Sequence, residues 1–310
     1  MRLFTRLLKY VKKVIILPLD NELDLLIKAS ATSKKVETTG YIINGKLNNR
    51  YIENDAWNIF VNNMTSSART AFSEGSGDEL GIKKIGNKPP KMACYGSSSR
   101  MIYLASRDIP NFKFEEKLPT TVGGTAHMDG YLEKDNHVIY IEAKCREPYS
   151  QNSYIIDRKY EVLYRYIEES PEVNLKCEIT ILNEKKMKVA FVANGIELTR
   201  FDIKQMICHL LGIATRHLKT QSDKAIRFIY FLYNPKHLEI TDDNLKQRIY
   251  DVYDTEIKEC DSIPFDSLFR VILRYLQGKI DSNLDIEKCA NEFIFKLCDQ
   301  TTYLNEISNI

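Results

Sequence analysis

The sequence predicts a mixed α/β domain of the α+β sandwich kind, a central mixed β-sheet flanked by helices, with further helices at the C-terminal end. Two observations lead there. Residues 127–133 and 138–144 alternate between apolar and polar side chains on either side of a turn-rich break, Lys134-Asp135-Asn136-His137, as two paired strands do. Further strand-like runs at 112–118, 177–182, 187–193 and 225–233 are interleaved with segments of helical spacing, which implies one sheet with helices on its faces.

In chain order, residues 1–17 form a basic amphipathic stretch with Leu3, Leu7, Leu8, Val11, Val14 and Ile15 on one helical face. Charges interrupt it too often for a secretory signal, and its apolar run is too short to span a bilayer. A helix docked on the domain or on nucleic acid is expected ahead of a membrane-surface helix. Residues 30–52 read as a loop or loose hairpin. A helix capped by Asn54 follows, with Trp57, Phe60, Val61, Met64, Ala68, Ala71 and Phe72 at helical spacing. It runs into Gly75-Ser76-Gly77-Asp78-Glu79, which no Gly-Lys-Ser/Thr follows, so it is not a phosphate loop. Glu79 could reach a site or stand solvated; spacing does not decide.

The stretch 83–100 carries Lys83, Lys84, Lys88, Lys91 and Arg100 around Pro89-Pro90, a basic linker that is either solvated or follows a phosphate backbone. Ser97-Ser98-Ser99 opens a helix to about 107. Beyond the 127–144 hairpin, a helix is expected over 153–169 with Ile156 in its buried stripe. A second hairpin over 177–193 follows. Thr199-Arg200-Phe201-Asp202 reads as a capping box before a helix that sets Gln205 and His209 on one face. Residues 225–233 read as a buried strand, and helices are expected at 243–258, 265–277 and 284–298. The organisation expected is an N-terminal basic helix and loop (1–52), a core (53–240) and a C-terminal helical part packed on it (241–310).

Composition limits the function. With 310 residues, 44% hydrophobic content and a net charge of +2, the chain can bury a sizeable core and lacks a strongly basic signature overall. Seven cysteines, an odd number with no CxxC and no zinc spacing, point to reduced thiols in a cytoplasm.

The chemistry concentrates in the 127–144 hairpin. Pairing Glu133 with Val138 sets Asp129 opposite Glu142. Alternation puts Ile139, Ile141 and Ala143 on one face and Val138, Tyr140, Glu142 and Lys144 on the other. On the first strand it groups Met128 with Leu132, and His127 and Asp129 with Tyr131. Two carboxylates about 5 Å apart repel unless a cation or proton lies between them, and hard oxygen donors suit Mg²⁺ or Mn²⁺. Glu-x-Lys alone is weak evidence: the chain has four, at Glu115/Lys117, Glu142/Lys144, Glu184/Lys186 and Glu256/Lys258. Only Glu142/Lys144 ends an apolar strand preceded by a strand that carries an Asp.

Asp129 followed by Glu142-Ala143-Lys144 resembles the PD-(D/E)xK nuclease superfamily, and within it a bacterial branch of restriction endonucleases. Gly75-Ser76-Gly77-Asp78-Glu79-Leu80, Ser97-Ser98-Ser99, Glu147-Pro148-Tyr149 and Gln205 to His209 stand in the same order as in that branch, over roughly residues 55–235. Met128 replaces the Pro of the family motif. The resemblance implies a restriction-endonuclease-like core and Mg²⁺- or Mn²⁺-dependent hydrolysis of phosphodiesters. Asp129, Glu142, the Ala143 carbonyl and Glu79 would hold the metal, and Lys144 would serve the attacking water. Glu147, Gln205 and His209 would support the site, and Lys83, Lys84, Lys88, Lys91, Arg100, Arg158 and Lys159 would contact phosphates. Double-stranded DNA is the substrate expected, in a defence or mobile-element setting, with homodimerisation left open. An RNA-directed nuclease and a catalytically silent binding module are the alternatives.

Overall fold

The structure, a computed structural model, describes residues 18–32, 41–43, 46–48, 50–75, 79–81, 89–150, 154–291 and 294–299. The basic stretch 1–17 and Lys83, Lys84 and Lys88 lie outside the described residues.

Helix α1 (Leu19–Thr32) leads to a small hairpin, β1 (Tyr41–Ile43) and β2 (Lys46–Asn48). Helices α2 (Asn54–Asn62) and α3 (Ser66–Glu74) replace the single helix expected over 54–72. The break has a local cause. Thr65 takes up a non-helical conformation and accepts a hydrogen bond from Ala68 N at 3.3 Å, so a new helix starts there. Glu53, not Asn54, occupies the cap position of α2. Helix α4 (Ser98–Ser106) starts at its Ser97 cap, and β3 (Lys113–Pro119), β4 (Thr125–Lys134) and β5 (His137–Lys144) follow as a meander.

The helix expected from 153 begins instead as a strand, β6 (Ile155–Asp157), before α5 (Glu161–Glu168). Ile156 is buried as expected, but through pairing with Met187 rather than on a helical stripe. Strands β7 (Leu175–Ile181), β8 (Lys186–Ala193) and β9 (Ile196–Glu197) complete a second sheet, ordered β6-β8-β7 with β9 on β8. The expected single sheet is therefore a central sheet, a smaller second sheet and the β1–β2 hairpin. Helix α6 (Ile203–Thr220) is capped by Asp202, whose side chain accepts from Gln205 N at 3.0 Å; Thr199 is not the cap. Strand β10 (Ala225–Leu232) precedes α7 (Asp243–Asp261), α8 (Phe265–Gln277) and α9 (Ile286–Asn291). The chain then enters β11 (Ile294–Asp299), where a helix was expected to run to 298. A short apolar run carries little periodicity of its own, and pairing beside β10 decides its state.

The central sheet is mixed and flanked by helices, in the order β11-β10-β5-β4-β3. The β3–β4–β5 meander is antiparallel, while β5, β10 and β11 run parallel. Parallel neighbours need long crossovers. The β5–β10 crossover carries the second sheet and α6, and the β10–β11 crossover carries α7 to α9. Helix α6 covers one face: Ile207, Leu210 and Leu211 join Tyr140 on β5, Phe228 on β10, Phe269 on α8 and Phe191 on β8 in the largest apolar cluster. Each such buried side chain contributes about 1.5–3 kcal/mol. Gly212 makes the close approach of α6 possible, since a Cβ there would stand 2.8 Å from Leu118 Cβ and 3.1 Å from Ala126 Cβ. On the other face Ile102 of α4 packs with Leu132, Ile139, Ile141 and Ala143. Among the described residues no helix is long and apolar enough to cross a membrane.

One buried acid in this framework makes stability depend on pH. Glu256 on α7 is fully buried and accepts a hydrogen bond from Tyr230 OH at 2.5 Å. Burial, with Glu259 adding to it, pushes its carboxyl from 4.5 up to about 8 against the opposing Tyr230 hydrogen bond. A carboxyl raised in the folded state contributes stability that is complete below its unfolded value and is lost as pH rises through the folded one. Stability should therefore fall between pH 4.5 and about 8, by at most ~1.4 kcal/mol per pH unit. Urea unfolding of Glu256→Gln protein across that window is expected to show a flatter profile than the parent; an identical slope would remove Glu256 as the cause.

Candidate active site

The site begins with the register of the β4–β5 hairpin. Glu133 pairs with Val138 as expected, and the turn closes more tightly than expected, at Lys134 and His137. Asp135 adopts a φ of 49°, a left-handed conformation that Asp tolerates better than most residues. The pairing stops after Gly130 and Ile141, one step before Asp129 and Glu142. There the Asp129 side chain takes over: its Oδ2 accepts from Ala143 N at 2.7 Å.

The alternation of β4 slips at the same place. Met128 belongs to the cluster under α6, whereas Leu132 packs on the α4 face, so the two do not share a face as alternation predicts. Opposite the slip, the β3–β4 pairing passes from Phe114–Gly130 to Glu116–Met128 and omits Glu115 and Asp129. Glu115 has a φ of 54°, which is strained for a residue with a side chain. The slip turns Glu115 toward Asp129, and three neighbouring strands contribute Glu115, Asp129 and Glu142 to one cleft.

That cleft holds about 200 Å³ and is also lined by Glu79, Lys91, Ser97, Ser98, Ser99, His127, Ala143, Lys144, Arg146, Glu147 and Gln205. Lys144 Nζ donates to Glu142 Oε1 at 2.7 Å and to Gln205 Oε1 at 2.6 Å. Gln205 sits in the first turn of α6, so the close packing of that helix fixes the ammonium. His209, one turn further along, places Nδ1 3.5 Å from Glu142 Oε2. Burial, reinforced by Lys144, lowers its pKa to about 3, so the imidazole is neutral and the contact is not an ion pair. Glu147 is tied on both sides: Oε1 accepts from Ser98 Oγ and Oε2 from Cys145 N, each at 2.8 Å.

Electrostatics follow from crowding acids in a closed space. Burial raises the Glu142 carboxyl, with Lys144 opposing. Burial and then Glu142 raise Asp129 well above the carboxylate range, against Lys144 and the Ala143 N–H. Glu115 is pushed up to about 8 by burial, then by Asp129, Glu79 and Glu142. For Lys144, burial disfavours the ammonium, but Glu142, Glu147, Asp129 and Asp202 together outweigh it and keep the group charged. Such a cluster is relieved by a cation. Oxygen donors are at hand: Glu79 Oε2 and Glu142 Oε2 are buried without a hydrogen bond. The donor set fits a hard divalent ion. Among the described residues, no group of three or more His, Cys, Asp or Glu side chains is already gathered closely enough to ligate one.

The chain matches no protein-family model, no curated protein and no solved structure.

Asp129, Glu142, Ala143, Lys144, Glu79, Glu147 and Gln205 thus line one cleft, while His209 stands behind Glu142 and lines the adjoining hollow. The basic residues expected at phosphates fare differently. Lys91 lines the cleft. Arg100 does not: it is 8% exposed, donates to the Tyr95 carbonyl at 2.7 Å and lies over the Tyr95 ring. A guanidinium engaged in this way is a structural element of the core, which corrects its expected role. Arg158 is paired with Glu161, and Lys159 Nζ donates to the Gly123 carbonyl at 2.6 Å; neither lines the cleft.

Sequence reasoning missed Glu115 and Arg146. Glu115 was set aside for want of an Asp-bearing strand before it, yet its Asp partner lies on the strand after it. Arg146 lines the cleft, and its NH1 stands 3.4 Å from Asp24 on α1. Asp24 is fully buried, and also accepts from Arg50 Nε at 2.7 Å and Gly96 N at 2.9 Å.

Gly75 ends α3 where a Cβ would stand 2.8 Å from Glu115 Oε2 and 3.0 Å from Glu79 Oε2. Its φ of −55° suits any residue, so space, not conformation, demands glycine. Gly75→Ala should leave the fold intact and displace both carboxylates. If those acids serve catalysis, activity falls about tenfold or more with little change in melting temperature. Full activity would exclude them from the chemistry.

Proposed function

We propose that the chain is a metal-dependent nuclease of the PD-(D/E)xK type, with the β3–β5 meander, β10 and α6 forming a restriction-endonuclease-like core. The observation that carries this reading is the Lys144 ammonium, held between Glu142 and Gln205 in a cleft that also gathers Asp129, Glu115 and Glu79.

Asp129, Glu142 and Glu79, with the Ala143 carbonyl, would hold Mg²⁺ or Mn²⁺. When bound, such an ion supplies Lewis-acid polarisation of a phosphate oxygen and a water of lowered pKa. Lys144 orients the attacking water and offsets charge that develops on the phosphoryl oxygens. Gln205 fixes the Lys144 ammonium through its side-chain carbonyl. Neutral His209 closes the back of the site behind Glu142 without adding positive charge. Glu147 anchors the segment after β5 to the start of α4 through Ser98.

DNA is the proposed substrate, with a cytoplasmic role in defence or in a mobile element. The test is cleavage of double-stranded DNA, single-stranded DNA and RNA side by side, with Mg²⁺ or Mn²⁺ and with EDTA. Cleavage of duplex DNA that EDTA stops is expected. Preference for RNA would redirect the substrate, and tight binding with no cleavage under either metal would leave a binding module in place of an enzyme.

A further inference from the structure

The hollow that adjoins the cleft holds about 480 Å³. Pockets that enclose small organic ligands run to ~300–1,000 Å³, so a nucleoside fits. It opens between the start of β4, strand β6 and the first turns of α6. His127 and Gln205 line both spaces, so hollow and cleft share a wall. Gln205 is also the residue whose side-chain oxygen holds the Lys144 ammonium, at 2.6 Å. A group seated in the hollow therefore lies next to the residue that fixes the lysine of the cleft.

The lining suits a flat, uncharged ring. Tyr160 gives it an aromatic wall and Ile155 an apolar one, and both stay open to solvent, Ile155 with 51% of its surface exposed. A lone exposed isoleucine is ordinary. This one borders a hollow whose further walls include Tyr164 and Ile156, both buried. Tyr160 is fixed in place, since its hydroxyl lies 3.1 Å from Cys208 Sγ on α6. Charge argues against a phosphate in this space: Asp157 and Asp202 face it, and Lys204 is the one lysine or arginine among the described residues that line it. Asp202 is held by Gln205 N at 3.0 Å. Its carboxylate offers an acceptor, and Lys204 a donor, to the polar edge of a base.

We infer that this hollow is a nucleobase subsite, which takes one unpaired base of the DNA strand from a nucleotide beside the phosphodiester in the cleft. This deepens the nuclease reading and rests on it. The base packs against Tyr160 and Ile155, and its edge meets Asp202 and Lys204. Packing on an aromatic wall tolerates any base, because every base has a π-face. Taking a base out of a paired stack costs free energy, so the subsite favours a strand that is single or locally unpaired at the cut.

The test compares two single-stranded DNA oligonucleotides of equal length by fluorescence anisotropy in EDTA, where no strand is cut. One carries thymine throughout, and the other has abasic sugars in its central positions. Their phosphates are the same, so a difference in binding belongs to the bases. The parent should bind the thymine strand about tenfold tighter. Tyr160→Leu should cut that preference to about twofold and Ile155→Ala to about fivefold, with the abasic strand bound as by the parent. Cys208 gives a readout on unaltered protein. It lines the hollow and is half-buried, where Cys94, Cys145, Cys177, Cys260 and Cys289 are buried. The thymine strand should slow its modification by methyl methanethiosulfonate, read by peptide mass spectrometry, and the abasic strand should not. Equal binding of the two strands by the parent, or a preference that neither variant lowers, overturns the inference. So does binding of neither strand. Protection of Cys208 by free thymidine 5′-monophosphate at the concentration of the strand makes the occupant a free nucleotide and overturns it as well. Mg²⁺-dependent cleavage of duplex DNA decides the nuclease reading separately: its absence, with the thymine preference and the Cys208 protection intact, overturns that reading and leaves the base-binding site.

Discussion

Glu142→Gln protein is expected to cleave DNA at least about 10²–10³-fold more slowly than the parent while melting at the same temperature or higher. The two effects have one origin. The amide oxygen still accepts from Lys144, as Oε1 now does at 2.7 Å, so the local packing survives. One negative charge leaves a cleft that also holds Glu79, Glu115, Asp129 and Glu147, and the repulsion that raises the Asp129 carboxyl weakens. A site arranged for chemistry at the expense of stability gains stability when the chemistry is removed. Lys144→Ala should lose activity to a similar extent but with the opposite effect on folding, because Glu142, Glu147 and Asp129 then face one another without their ammonium. Cleavage assays with Mn²⁺ and thermal melts in EDTA check both variants. Parent-level cleavage by Glu142→Gln would sink the assignment of the site.

The hairpin that carries Glu142 was legible in the sequence because its determinants are local. Alternation and a polar turn fix a register, and the Glu133–Val138 pairing follows. Gln205 and His209 were legible as a pair on one helical face because the helix period places them there; that they reach Lys144 and Glu142 depends on how closely α6 docks over Gly212. Glu115 was not legible. Its role requires a slip in two strands at once, with one residue at positive φ, and no local pattern announces that. Arg100 misled for a related reason: a basic residue among lysines reads as surface, and only the Tyr95 ring and carbonyl in three dimensions turn it inward. The ends of elements failed where tertiary pairing overrode periodicity, as at β6 and β11, each settled by a neighbouring strand.

The largest effect on stability is expected far from the cleft, at Glu259 on α7. Its carboxylate is 1% exposed and accepts from Arg200 N and Phe201 N at 2.8 Å, Thr199 N at 3.0 Å and Thr199 Oγ1 at 2.9 Å. These three successive N–H groups lie just before the Asp202 cap of α6, in a loop with no strand to pair them. Glu259→Ala strands them in the interior, where each unsatisfied donor costs about 1–3 kcal/mol. A loss of about 3–5 kcal/mol in unfolding free energy is expected in urea, a large share of the ~5–15 kcal/mol that holds a domain together. All three N–H groups converge on Oε2, and Oε1 meets only the Thr199 hydroxyl, which can accept as well as donate, so Glu259→Gln can keep its oxygen on the N–H groups and its amide on the hydroxyl and should lose much less. The loop also sets the start of α6, and Gln205 lies three residues beyond Asp202. Because its amide oxygen can still take the three N–H groups, Glu259→Gln protein should keep Gln205 on Lys144 and cleave near the parent rate. A loss under about 1 kcal/mol for Glu259→Ala would show that water replaces the carboxylate there and that α6 is seated by its apolar face alone.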